Sequence, residues 1–197
     1  MTSPTQAARP QEYPPPGYAP PPVQLGGHPL ASPGERLGAK VLDHLVLLIP
    51  SLLVGAVFFV PTAAVLSAGG GSIAPATAFV LLALAVSLWA LVHAAIYYAY
   101  QVSYQQRAGR TVGKRALGLR IVRLDGGVPD RRAYRRRFLV ENASWLVLVV
   151  PVLGFVISSV AGIVQWLDAL WCLWDKPFQQ CLHDKYAGTA VVKVPGA

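Results

Sequence analysis

Charge is what this chain has least of. Only 13% of its 197 residues are Asp, Glu, Lys or Arg, against about 25% in a typical soluble domain. The shortage is local as well as global, because no such residue occurs between Asp43 and Arg107. A stretch that long without charge does not make a soluble surface, and an integral membrane protein is indicated. Acidic residues are scarcer still, nine against 17 basic ones. Cysteine is nearly absent. Cys172 and Cys181 stand too far apart for a zinc site and are too few for a disulfide framework. They are taken as two buried, unremarkable thiols. The first apolar run starts only at Val41, so no secretory signal peptide opens the chain.

Proline is abundant in one place only. Residues 1–33 hold ten of the 17 prolines, with triplets at Pro14 and Pro20. Proline lacks the N–H that helices and sheets use, and little in this tail is apolar. A disordered cytoplasmic extension with polyproline II character is expected. The stretch from Glu35 to Pro50 then carries Arg36, Lys40 and Asp43 into the first apolar run. A first span is expected at about 41–60, since twenty residues cross roughly 30 Å. Pro50 lies within it and is expected to kink it. Residues 61–75, with Gly69-Gly70-Gly71, are expected to form a flexible connection. A second span follows at about 76–99 and ends in Tyr97, Tyr98, Tyr100 and Tyr104, which mark a headgroup region.

Eleven of the 17 basic residues fall in the connector 101–137. Basic loops beside apolar spans stay in the cytoplasm, so two preceding spans place the N-terminus there too. Anionic lipid headgroups are the expected partners of this patch; nucleic acid is not, because membrane segments flank it on both sides. Leu117, Leu119 and Ile121 alternate before Asp125-Gly126, a short strand leading to a turn. Gly109 to Lys114 fails as a phosphate loop. Three residues separate its glycines instead of four, and Arg115 follows the lysine.

Residues 138–174 are mostly apolar, with Pro151 and Gly154 in the middle and basic residues at both ends. A hairpin with arms 138–150 and 153–174 fits; a single span preceded by an interfacial helix is the alternative. The tail 175–197 ends in valines after Gly188, a second strand signal. Pairing of that strand with the one near Leu119 puts both on one side of the membrane. The fold class expected is therefore an all-α membrane protein. It is a small transmembrane helical bundle, of two clear spans plus a hairpin or of three spans, with a short two-stranded cytoplasmic β element.

Three motifs in order carry a resemblance. Arg36 and Asp43 open the first span. Gly109, Thr111, Gly113 and Lys114 lead into Leu119-Arg-Ile-Val. His183, Asp184, Gly188 and Thr189 precede the final strand. Over 34–194 the chain resembles the RDD family of bacterial membrane proteins, named for one arginine and two aspartates. The resemblance implies that Arg36 is the arginine and Asp43 the first aspartate, with Asp184, or else Asp168, the second. It implies a multi-pass protein of the bacterial plasma membrane, and transport, with cation/proton exchange proposed for some members.

Counting inward from each cytoplasmic end puts Asp43, His93, Glu141 and Asp168 within roughly 5–10 Å of the interface. They are expected to form one polar layer, structural or ion- and proton-binding. Side chains lean toward a helix N-terminus, so Asp43 is expected to point at Lys40 or Arg36, and Arg36 to pair with Asp184. A complete proton path needs more than this layer, so an oligomer or another membrane protein is a candidate partner. No nucleophile elbow, Ser-x-x-Lys or metal-spaced His pair occurs, so neither catalysis nor a cofactor is expected. The favoured role is structural, or lipid- and partner-binding through the basic face, with solute transport or cation/proton exchange as the alternative.

Overall fold

The computed structural model describes residues 23–143, 146, 150 and 153–194. Most of the proline tail, residues 1–22, lies outside the described residues, and so does most of the expected arm 138–150. The described start of that arm, 138–141, belongs to the helix of the basic connector.

Helix α1 is Pro33–Gly69. Its start is built from three local devices. Ser32 caps the Glu35 N–H, Glu35 returns the bond to Ser32, and Pro33 takes the first turn, where an N–H is not needed. The helix runs through Pro50 and Pro61 to Gly69, so the connection expected at 61–75 shrinks to a single 3₁₀ turn, Gly70–Ser72. The residues after Pro61 are apolar and helix-compatible. The hydroxyls of Thr62 and Ser67 also bond back to the carbonyls of Phe58 and Ala63. Helix α2, Pro75–Tyr98, packs back along α1. Both are long and apolar enough to cross a membrane. Leu45, Ile49, Leu53 and Val57 on α1 and Phe79, Leu84, Leu88 and Leu91 on α2 are exposed, the arrangement lipid tails require. At ~1.5 Å per residue, α1 is far longer than the ~30 Å hydrocarbon layer of a bilayer.

The chain leaves α2 through a π-helical turn, Ala99–Tyr104, and a short helix α3, Gln105–Ala108. A one-turn helix α4, Val112–Ala116, precedes the strand Leu119–Arg123. Helix α5, Arg131–Glu141, begins at its Asp130 cap. Helix α6, Leu153–Trp171, covers most of the expected span 153–174, whose last three residues form a turn. The short helix α7, Leu182–Ala187, then leads into the last strand, Thr189–Lys193.

Two small sheets complete the fold at the end where α1 begins and α2 ends. Strands β1, Gln24–Leu25, and β2, His28–Pro29, form a hairpin. Strands β3, Leu119–Arg123, and β4, Thr189–Lys193, pair antiparallel with Ile121 opposite Val191. The β3–β4 sheet has two buried faces. Leu119, Ile121 and Val191 pack with Ala39, Val102, Tyr134 and Phe138 of the helices. Val122, Ala190 and Val192 pack under Leu25 and Leu30 of the hairpin. The tail therefore ends earlier than 33. Residues 23–32 fold onto the sheet, with the Ala31 N–H donated to Val191 and Ala31 itself fully buried. Their few apolar side chains find a ready-made sheet edge and face, which proline counting does not register. Gly26 and Gly126 allow the fit, since a Cβ on Gly126 would stand 2.8 Å from the Gly26 nitrogen.

Candidate functional site

The first helix, the connector and the C-terminal tail meet at the start of α1, and their polar side chains form two linked clusters. The first is centred on Asp43. Its carboxylate accepts from Tyr100 Oη at 2.6 Å, Thr111 Oγ1 at 2.7 Å and the Gly113 N–H at 2.7 Å. Tyr100 reaches it because it lies in the π-helical turn, a local widening that often marks a functional position. Thr111 reaches it as the cap of α4, accepting from the Lys114 N–H while donating to Asp43. Gly113 sits so close to α1 that a Cβ would stand 2.2 Å from the Ala39 carbonyl oxygen. Asp43 was expected to point at Lys40 or Arg36. The structure turns it instead to the connector, where three pre-aligned donors offer it more than one flexible lysine does. Lys40 pairs with Glu141 at 3.1 Å.

The second cluster is centred on Asp184, which is completely buried. Its carboxylate meets the Arg137 guanidinium, accepts from Thr189 Oγ1 at 3.2 Å and caps the Cys181 N–H at 3.3 Å. Arg36 stands 3.6 Å away. The Arg36 hydrogen bonds go to backbone carbonyls: Ala31 at 3.1 Å, Gln179 at 2.5 Å and Val191 at 3.2 Å. One side chain thus ties α1 to the loop before α7 and to β4. Gln179 holds a left-handed backbone conformation, φ 49°, which aims its carbonyl at Arg36.

Asp168 of α6 joins the same region. It accepts from the His183 N–H and from His183 Nδ1, both at 2.7 Å, and so caps α7. That bond assigns the imidazole proton to Nδ1. Burial, and Arg137 behind it, holds His183 below its ordinary value, with Asp168 opposing. The four residues expected to share a layer are therefore distributed. Asp43 serves the connector, Glu141 pairs with Lys40, and Asp168 holds the tail. His93 stands apart, buried and stacked on Tyr97 at 4.5 Å between ring centroids.

These observations join the arginine of α1 and the aspartates of α1, α6 and α7 into one structural unit. The RDD family model matches residues 30–188. The chain belongs to the RDD family. No curated protein and no solved structure matches it. In this RDD protein the residues 109–114 dock on Asp43, and 183–189 dock on Arg36, Arg137 and Asp168.

Arg137 and Tyr100 escape sequence reasoning. Arg137 lies in a run of arginines, but it shares a helix face with Ala133, Tyr134 and Phe138, and that spacing is the signal. Tyr100 reads as one of four interfacial tyrosines; nothing in the sequence marks the π turn that singles it out. Among the described residues one group has metal-like proximity: Cys181, His183 and Asp184 place ligand atoms within 4.8 Å of one another. Two arginines beside Asp184 oppose a cation there. Burial pushes the Cys181 thiol up to about 12, away from the thiolate that nucleophilic attack needs near neutral pH.

A cavity of about 380 Å³ lies between the clusters. Arg36, Lys40, Lys114 and Arg137 line it with Asp43, Glu141 and Asp184, and its apolar wall includes Leu37, Trp166, Leu170 and Leu173.

Proposed function

We propose that this RDD protein is a multi-pass protein of the bacterial plasma membrane, N-terminus in the cytoplasm, with a structural and non-catalytic role. It holds a basic face against anionic lipid headgroups of the inner leaflet. Helix α5 carries this reading. Arg131, Arg132, Arg135 and Arg136 are exposed on one side of it, while Ala133, Tyr134 and Phe138 are buried on the other. Juxtamembrane arginines are each attracted to an anionic leaflet by about 1 kcal/mol. The buried ion pairs support the same role, because Asp184 and Asp168 spend their acceptors on holding α7 in place beneath that helix. The test is the thermal stability of the full chain in nanodiscs of rising phosphatidylglycerol content. Stability should rise with anionic lipid at low salt. The rise should vanish with Arg131, Arg132, Arg135 and Arg136 changed to Gln. Equal stability in purely zwitterionic discs overturns the reading.

One observation favours a second reading, solute transport or cation/proton exchange. The cavity is lined by three carboxylates, Asp43, Glu141 and Asp184, the first of them in α1. A pH-sensitive dye in proteoliposomes tests it. Cation-driven proton movement that Glu141→Gln abolishes would replace the structural role.

A further inference from the structure

The cavity is the least explained part of the molecule. Its walls are of two kinds. One end is ionic, with the cations Arg36, Lys40, Lys114 and Arg137 and the anions Asp43, Glu141 and Asp184. Four against three leaves one positive charge in excess. The other wall is made by Leu37 of α1 and by Trp166, Leu170 and Leu173 at the end of α6, and all four are exposed. Among the described residues α1 and α6 scarcely touch, and the cavity lies between their lining side chains. On the membrane reading, these exposed apolar side chains face the leaflet.

The excess charge can be assigned. Arg36 is spent on three backbone carbonyls, and Arg137 on Asp184 and Thr189. Lys40 has Glu141 at 3.1 Å. Lys114 is the cation left short. Its ammonium has three donors, yet it reaches Thr111 Oγ1 only at 3.4 Å and stands 4.0 Å from Asp43. Asp43 does not turn to it, because Tyr100, Thr111 and Gly113 already occupy that carboxylate. A half-buried ammonium with only long contacts to its acceptors is poorly satisfied, and desolvation holds Lys114 below the usual lysine range.

We propose that the cavity is a binding site for one phospholipid with a monoanionic phosphodiester headgroup, its phosphate on Lys114 and its first chain carbons against Leu37, Trp166 and Leu170. The phosphate supplies a closer acceptor than the long contacts of Lys114 with Thr111 and Asp43, and it balances the one-charge excess of the lining. The volume falls within the range of small-ligand pockets, about 300–1,000 Å³. It takes a headgroup and the start of the chains, and the rest of each chain lies along α1 and α6. A free phosphate would satisfy Lys114 but would leave the apolar wall wet. The proposal rests on the membrane reading of α1 and α6. It does not rest on the α5 face, none of whose exposed arginines lines the cavity.

Native mass spectrometry of the purified full chain tests it. The protein is loaded with dioleoylphosphatidylglycerol in detergent and washed at about 1 M salt, where the screening length is near 3 Å. Lipid held only by the exposed arginines is then stripped. One phosphatidylglycerol per chain should survive the wash, and excess inorganic phosphate should not displace it. Lys114→Gln should lower retention at least tenfold. Leu170→Trp, which fills the apolar wall and leaves every charge in place, should do the same in a protein that elutes as the parent does. Displacement by inorganic phosphate reduces the site to an anion site and overturns the lipid assignment. Equal retention of phosphatidylcholine, or retention unchanged in both variants, overturns it as well. Loss of the salt-sensitive stabilisation by anionic nanodiscs, with the washed lipid retained, would defeat the α5 reading and leave this one standing.

Discussion

Arg137 and Asp184 meet as an ion pair inside the protein, 47 residues apart in the chain and both closed to solvent. Thr189 closes the triangle, accepting from Arg137 at 2.6 Å and donating to Asp184 at 3.2 Å. The pair joins α5 to α7 and to the start of β4, so it fixes the tail on the connector. Removing one member of a buried pair strands the other charge and typically costs about 3–5 kcal/mol. Arg137→Met should fall in that range, measured by unfolding in detergent micelles. The double variant Arg137→Met/Asp184→Asn should lose less than the sum of the two single changes. A single variant as stable as the parent would mean the pair does not hold the tail.

Gly113 makes a sharper test of how the connector docks. A methyl group there would stand 2.2 Å from the Ala39 carbonyl and 2.9 Å from Asp43 Oδ1. Neither can retreat easily, since one is helix backbone and the other is held by three donors. Gly113→Ala should push α4 off α1 and cost about 1–3 kcal/mol or more, as overpacking does. Gly34 and Gly162 lie in helices with open space where a Cβ would go. Alanine at either should leave stability unchanged or raise it by up to about 1 kcal/mol. Equal effects at all three positions would refute the docking geometry.

Much of the architecture was legible because it depends on local pattern. Two charge-free runs became α1 and α2, and the alternation near Leu119 and the valines after Gly188 became one sheet. What escaped depends on long-range partners. Asp43, Glu141 and Asp168 do sit near one end of the helices, but depth along a helix does not say which way a side chain turns. Asp43 faces the connector, Glu141 faces Lys40 and Asp168 faces the tail. Arg137 was hidden by its neighbours, because charge counting treats five arginines alike while packing buries only one. The tail boundary was misplaced for a similar reason. Leu25, Leu30 and Ala31 are too few to predict a fold alone, and they fold because β4 and Val122 are there to receive them.

His183 predicts how stability depends on pH. It is neutral in the fold, because burial, and Arg137 next, opposes its protonation more than Asp168 favours it. The unfolded chain binds the proton more readily, with an ordinary value near 6.5. A group whose folded value is depressed contributes stability that is present above the unfolded value and lost as pH falls through the folded one. Stability should therefore decline as pH drops below about 6.5. His183→Gln should be less stable at pH 7 but flatter across that window, read from unfolding curves at stepped pH. A parent protein with no slope there would show that His183 is not held neutral.

Asp43 and Tyr100 allow the connector's grip on α1 to be dissected donor by donor. The carboxylate satisfies two hydroxyls and one backbone N–H, with Thr111 and Gly113 buried and Tyr100 half-buried. Tyr100→Phe removes one donor and leaves the carboxylate with two bonds. A hydrogen bond to a charged group contributes about 1.5–3 kcal/mol, and loss toward the lower end is expected because Thr111 and Gly113 stay. Asp43→Ala removes the acceptor from all three donors, two of which have nowhere else to turn. Each buried donor left unmade costs about 1–3 kcal/mol, so this change should exceed the tyrosine change severalfold. Asp43→Asn should fall between them, since its amide oxygen can still accept while its nitrogen faces donors. The order Tyr100→Phe, then Asp43→Asn, then Asp43→Ala is the expected result in detergent unfolding. If Asp43→Asn were neutral for stability yet abolished proton movement in proteoliposomes, the carboxylate would be an exchange site instead of an anchor for the connector.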